Sequence, residues 1–227
     1  MTGRMHPCAA LLAAALLAGC SSGDPVGGGG SAIETAVGAA VARLSRIGTA
    51  PAAPPQPPAL TRAFIDAYPT PVIFVTLEAT GDRDAVGEAG QNGGVRVYVT
   101  PTGLVFALRD GVLVATRGLG PDLMASDAPT AAALRRGDGS HRRVQRYLTG
   151  TNASDTLVLE CFVTEGGAET LDLVGLSVPT RVVAESCAGR GYAIENRYWF
   201  DARGRVRQAR QWAGLEAGYI VIADLTR

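Results

Sequence analysis

The chain has 227 residues, 47% of them hydrophobic and 19% charged, and a formal net charge of zero at pH 7. That length allows one sizeable domain with its own core, and the balanced charge argues against a nucleic-acid partner. The 21 basic residues are all Arg, a bias that a GC-rich genome accounts for, although Arg also pairs bidentately with carboxylates and phosphates.

The first twenty residues read as an export signal. Arg4 supplies a positive start, and Cys8 to Leu17 is almost entirely Ala and Leu. This run suits a signal peptide and falls short of the ~20 residues a bilayer requires. It ends in Leu17-Ala18-Gly19-Cys20, the lipobox order of a branched residue, two small ones and Cys. The expectation is that residues 1–19 are removed and that Cys20 becomes the acylated N-terminus. The plainer alternative is an ordinary secretory signal with an incidental Cys. Two lipid signals suffice for stable anchoring, so an acylated Cys20 would hold the chain without protein contacts. Ser21, rather than Asp, follows the Cys, which favours the periplasmic side of the outer membrane.

Residues 20–58 read as a tether. Ser21–Gly30 is flexible by composition. Ser31 and Glu34 form a capping box, and Ile33, Val37, Val41, Leu44 and Ile47 make one apolar stripe. Gly48 stops this helix and a Pro-rich spacer follows over 49–58. Every aromatic residue lies from Phe64 onward, so residues 59–227 are expected to hold the folded domain.

In that domain the pattern is strand after strand. A short helix is expected at Arg62–Ala67 and another at Ala128–Arg135. Pro71–Leu77 reads as a buried strand, and Val95, Val97 and Val99 alternate with polar residues. Leu104–Arg109 and Val112–Arg117 flank Asp110-Gly111, a strong hairpin signal because both residues tolerate positive φ. Further strands are expected at Arg143–Leu148, Thr156–Val163, Thr170–Val174, Thr180–Ser186, Tyr192–Phe200, Val206–Trp212 and Tyr219–Leu225. The fold class is therefore mainly β, an antiparallel sandwich or open barrel with a few short helices. After Cys8 is removed and Cys20 acylated, Cys161 and Cys187 remain, and two thiols in an oxidising compartment most simply form one disulfide.

Chemistry is sparse. There is no nucleotide fingerprint, no nucleophile elbow and no metal-ligand spacing, so no catalytic residue, metal or cofactor is expected. His141 reads as a solvated loop histidine beside Arg142 and Arg143. Carboxylates are numerous, and a glycosidase pair needs a spacing that sequence does not show. Asn152-Ala153-Ser154 matches a glycosylation acceptor and reads as a turn. The densest polar and aromatic stretch runs from Glu195 through Arg197, Tyr198, Trp199 and Phe200 to Arg210 and Trp212. Either its aromatic and Arg side chains grip an acidic polysaccharide, or the aromatics are core and the Arg set a solvated strand face. The structural reading is preferred.

Three segments carry a resemblance. Leu104–Asp127 ends in a T-R-G-x-x-x-D-L stretch, here Thr116, Arg117, Gly118, Asp122 and Leu123. Cys161 and Cys187 are paired in spacing, and Glu195–Trp212 leads from Glu-Asn-Arg-Tyr-Trp to Arg210-Gln211-Trp212. With the lipobox, these resemble the YjbF/GfcB family of outer-membrane lipoproteins, from about residue 60 to the end. The resemblance implies a β-rich periplasmic domain acting without catalysis in exopolysaccharide or capsule assembly or export. An outer-membrane barrel and a periplasmic companion are implied as partners. Arg117, Asp122, Arg197, Trp199, Arg210 and Trp212 are the candidate binding residues. At the Thr116–Asp122 corner, either Arg117 and Asp122 pair across the bend or Arg117 points outward to an anionic partner; pairing is preferred. The alternatives to an accessory factor are a lipid-anchored glycan-modifying enzyme and a carrier with an apolar cavity.

Overall fold

The computed structural model describes residues 59–149 and 153–227. The export signal, lipobox, tether, first amphipathic helix and Asn152 lie outside the described residues.

Two short helices are each started by a threonine. Thr61 and Thr130 accept hydrogen bonds from the Phe64 and Ala133 amides, opening α1 (Arg62–Ala67) and α2 (Ala131–Arg135). Among the described residues, all other elements are strands. They are β1 (Val72–Leu77), β2 (Arg83–Asn92), β3 (Val95–Val99), β4 (Val105–Arg109), β5 (Val112–Arg117) and β6 (Leu123–Asp127). After α2 come β7 (Ser140–Leu148), β8 (Ser154–Asp172), β9 (Ser177–Gly189), β10 (Tyr192–Phe200), β11 (Val206–Gly214) and β12 (Gly218–Asp224).

These make one antiparallel, 12-stranded sheet in the order β5-β4-β3-β2-β1-β12-β11-β10-β9-β8-β7-β6. The order is two meanders joined where the last strand pairs with the first, Val75 opposite Ile222. Its two ends, β5 and β6, are consecutive in sequence and lie side by side. The sheet thus curls into a nearly closed barrel, which decides between the sandwich and barrel expectations.

Alternation gives the barrel its core. Tyr98, Phe106, Leu108, Leu113, Leu123, Ile220 and Ile222 belong to one cluster, and Tyr198, Phe200, Val183, Val206 and Leu134 to another. Each fully buried residue of this size contributes about 1.5–3 kcal/mol. A smaller cluster gathers Ile65 of α1, Val72, Leu173, Val178, Ala223 and Leu225. Arg62 fixes that cluster by donating to the Leu173 and Leu225 carbonyls. Among the described residues, no helix is long and apolar enough to cross a membrane.

The strand pattern differs in part from the sequence reading. β2 and β6 were not expected. β2 (RDAVGEAGQN) buries only Val86, and β6 (LMASD) buries only Leu123 and Ser126, so neither shows the apolar alternation of a strand. The separate strands expected at Thr156–Val163 and Thr170–Val174 are one strand, β8. Gly166-Gly167 does not break the strand; it forms a bulge opposite Val182 within the ladder to β9.

Candidate functional site

The polar groups of the barrel interior converge on one carboxylate. In β7 the alternation that turns Ser140, Arg142 and Val144 outward turns His141, Arg143 and Gln145 inward. In β9, Glu185 shares the inward face with Val183 and Cys187, and its ladder neighbours are Val163 and Asn196. Tyr198 lies two residues further along β10, and Gln211 comes from β11. The Glu185 side chain is 0% exposed. Such a charge persists only when paired and hydrogen-bonded.

Glu185 has the partners it requires. Arg143 grips it through Nε and Nη2 to Oε1 (3.1 and 3.0 Å) and through Nη2 to Oε2 (2.8 Å). The Tyr198 hydroxyl donates to Oε2 at 3.0 Å, Asn196 Nδ2 donates to Oε2 at 2.8 Å, and His141 Nε2 meets Oε1 at 2.7 Å. Burial pushes the carboxyl up, but Arg143 and the hydrogen bonds from His141 and Asn196 overcome it and hold it down at about 2. Burial likewise weighs against the Arg143 charge, and its partners more than offset it. Tyr198 is pushed well above the ordinary phenol range, first by burial and then by the Glu185 charge. At neutral pH the group is therefore an anion, a cation and a neutral phenol, all locked. It is a poor general acid or base, since that role requires a pKa near the working pH.

The network also ties strands together. Asn196 Oδ1 accepts from the Trp212 amide at 2.8 Å, linking β10 to β11. Gln211 Oε1 accepts from the Leu113 amide (2.9 Å) and its Nε2 donates to the Gly111 carbonyl (3.1 Å), so β11 holds β5 across the interior. Beside it, Cys161 and Cys187 face each other in the β8–β9 ladder and form a disulfide. The ligand atoms of His141, Cys161 and Glu185 lie within 4.8 Å of one another. The sulfur is spent in the disulfide and the carboxylate is saturated by Arg143, so this group does not suit a metal ion.

The sequence-selected residues fall into two separate places. Arg117 and Asp122 sit at the barrel seam, where β5 and β6 meet without a register between them. The seam is stitched by side chains. Asp122 accepts from the Gly118 amide (2.8 Å), the Leu119 amide (3.0 Å) and the Thr116 hydroxyl (3.1 Å). Thr116 Oγ1 in turn accepts from the Leu123 amide at 3.0 Å, and Arg117 Nη1 donates to the carbonyls of Thr116 and Leu123. The preferred pairing of Arg117 with Asp122 is thus replaced. The tight bend places backbone donors nearer the carboxylate and backbone acceptors nearer the guanidinium, and each takes those. The T-R-G-x-x-x-D-L stretch is the clasp of the barrel.

The second group lies on the outer face of β10 and β11, where Arg197 stands opposite Arg210. Arg197 pairs with Glu195 at 2.8 Å. Arg210 pairs with Glu78 at 2.7 Å, lies 3.5 Å over the Tyr219 ring, and holds the Glu78 carboxyl below its usual range. Trp212 packs edge-on against Tyr219. Trp199 is 7% exposed, and its indole donates to Glu169 of β8 at 2.7 Å. Two readings are corrected here. His141 is a half-buried strand residue rather than a loop residue. Arg207 does not belong to a solvated Arg face; its side chain is 2% exposed and donates to the Asp224 and Thr226 carbonyls. Sequence reasoning missed Glu185, Arg143, Asn196, Gln145 and Gln211. The available signal was parity, because Val183 and Cys187 put Glu185 on an inward face.

Residues 32–225 match a family model described as group 4 capsule polysaccharide lipoprotein GfcB, YjbF. The crystal structure of the hypothetical lipoprotein YmcC from Escherichia coli K12 shares the fold, with a TM-score of 0.66 at 22% identity. The match covers 74% of this chain and 89% of that one. No curated protein matches the sequence.

Proposed function

The chain belongs to the YjbF family of group 4 capsule polysaccharide lipoproteins, and from that premise we propose that it is a non-enzymatic accessory factor of polysaccharide assembly or export. In this reading residues 1–19 are the signal, Cys20 carries the lipid, residues 20–58 are the tether, and residues 59–227 work on the periplasmic side of the outer membrane. Its partners are the polymer, an outer-membrane barrel and a periplasmic companion.

The saturation of Glu185 carries the non-enzymatic reading. This carboxylate with its neighbouring imidazole is the arrangement in the fold closest to an acid–base pair. It takes hydrogen bonds from Arg143, Tyr198, Asn196 and His141 and is held down at about 2. A carboxylate used this way stabilises a barrel and does not shuttle protons.

The test is a gene deletion complemented by wild type or by Cys20→Ser. Surface polysaccharide should fall in the deletion and return with wild type. It should not return with Cys20→Ser, which should also leave the membrane fraction. Full-length protein incubated with isolated polymer should release no reducing ends. Steady release of reducing ends would favour the glycan-modifying enzyme instead.

A further inference from the structure

The hairpin between β10 and β11, the C-terminus of α2 and the start of β9 surround an open cavity of about 360 Å³. It is lined by Arg135, Arg181, Thr180, Pro179, Phe200, Asp201 and Ala202.

Its charge is one-sided. Arg135 makes no side-chain hydrogen bond or ion pair among the described residues, yet it is positioned. Its guanidinium lies so close over Gly204 that a Cβ there would come within 2.9–3.0 Å of its Cδ, Nε and Cζ. Its carbonyl accepts from Arg181 Nη2. Arg181 is held from the other side by Glu165, which is largely exposed, at 2.7 Å. Asp201 is the carboxylate in the lining, and its own hairpin uses it up. It accepts from the Arg203 and Arg205 amides and from Arg205 Nε, each at 2.9 Å. Behind it stands the buried Arg207, at 3.8 Å. In the lining, Arg135 and Arg181 therefore outweigh Asp201, whose charge Arg205 and Arg207 already meet. The exposed Arg135 guanidinium lies against the Gly204 backbone, and its free N–H groups match a planar or tetrahedral oxyanion.

We propose that this cavity is an anion subsite in which Arg135, supported by Arg181, binds the carboxylate of an acidic sugar unit. The inference rests on the polysaccharide-linked reading above and supplies its ligand class. Arg135 takes the carboxylate bidentately, Thr180 and the hairpin backbone face the sugar ring, and the cation excess attracts the polymer in a salt-dependent way.

The experiment measures binding of trigalacturonic acid and of neutral maltotriose to the full-length protein by calorimetry. Trigalacturonic acid should bind, more weakly at high salt, and maltotriose should not. Arg135→Ala should weaken binding about tenfold or more, the worth of a charge-assisted bond, with an unchanged melting temperature. Arg135→Lys, which keeps the charge but not the fork, should recover only part of the loss. Equal binding by wild type and Arg135→Ala, no binding by wild type, or equal binding of maltotriose would each overturn the site. So would displacement of trigalacturonic acid by an equal concentration of inorganic phosphate, which would reduce the cavity to an unselective anion trap. These readouts are independent of the deletion phenotype. Normal polysaccharide in the deletion strain would sink the functional reading and leave the binding result standing.

Discussion

Replacing Glu185 by Gln keeps the side-chain shape and removes the charge. The Arg143 guanidinium, 3% exposed, then stays buried without a counter-charge. Breaking a buried pair from one side costs about 3–5 kcal/mol. For a domain of this size, 1 kcal/mol shifts the melting temperature by about 2–4 °C, so Glu185→Gln should lower it by roughly 6–20 °C. Acid titration gives a second, independent readout. The folded carboxyl sits at about 2 against an ordinary 4.5. The unfolded chain therefore binds the proton first as pH falls. The stabilisation is complete above the ordinary value and disappears as pH drops from about 4.5 toward 2. Its size is about 3 kcal/mol, from 1.36 kcal/mol for each pKa unit. Urea unfolding followed by far-ultraviolet circular dichroism at several pH values measures both quantities. Wild type should lose stability across that window, and Glu185→Gln should lose less. The double variant Glu185→Gln, Arg143→Met should recover part of the loss, because both charges leave together. A single variant within about 1 kcal/mol of wild type, with the same acid slope, would refute the account of Glu185 as the barrel's central strut.

The disulfide closes a loop with a sequence separation of 26, so Cys161→Ser with Cys187→Ser should cost about 3–4 kcal/mol on the chain-entropy account. Thiol labelling of the denatured, unreduced wild type should find neither Cys161 nor Cys187 free. Asp122→Ala leaves the Gly118 and Leu119 amides and the Thr116 hydroxyl without their acceptor and should cost about 1–3 kcal/mol. Arg117→Ala should cost less than Asp122→Ala in the same denaturation assay, since it takes one exposed donor from two carbonyls, whereas Asp122→Ala leaves three donors without an acceptor. Gly111 has φ +85°, and a Cβ there would lie 2.6 Å from Val206 Cβ. Gly111→Ala should therefore lower stability by about 2–5 kcal/mol, from the left-handed backbone and the overpacking together, and a neutral result in urea unfolding would contradict the packing of β5 on β11.

Local pattern alone determined much of the fold. Asp110-Gly111 marked its hairpin because both residues carry positive φ, 51° and 85°. The alternation in Val95–Val99 and Tyr192–Phe200 set those strands, since a period of two has one buried face. Compartment chemistry implied the Cys161–Cys187 bond without geometry. The strands β2 and β6 were not legible. Their stability comes from ladders to neighbours rather than from an apolar face of their own. Closure of the barrel was not legible either, because it depends on Thr116, Arg117 and Asp122 meeting the next strand across a bend. The Glu185 network joins residues 141, 143, 185, 196, 198 and 211 from four strands. Sequence parity can place each on an inward face. Only the strand order and the curl of the sheet bring their polar atoms within hydrogen-bond reach, and that distance decides whether a buried charge is tolerated or ruinous.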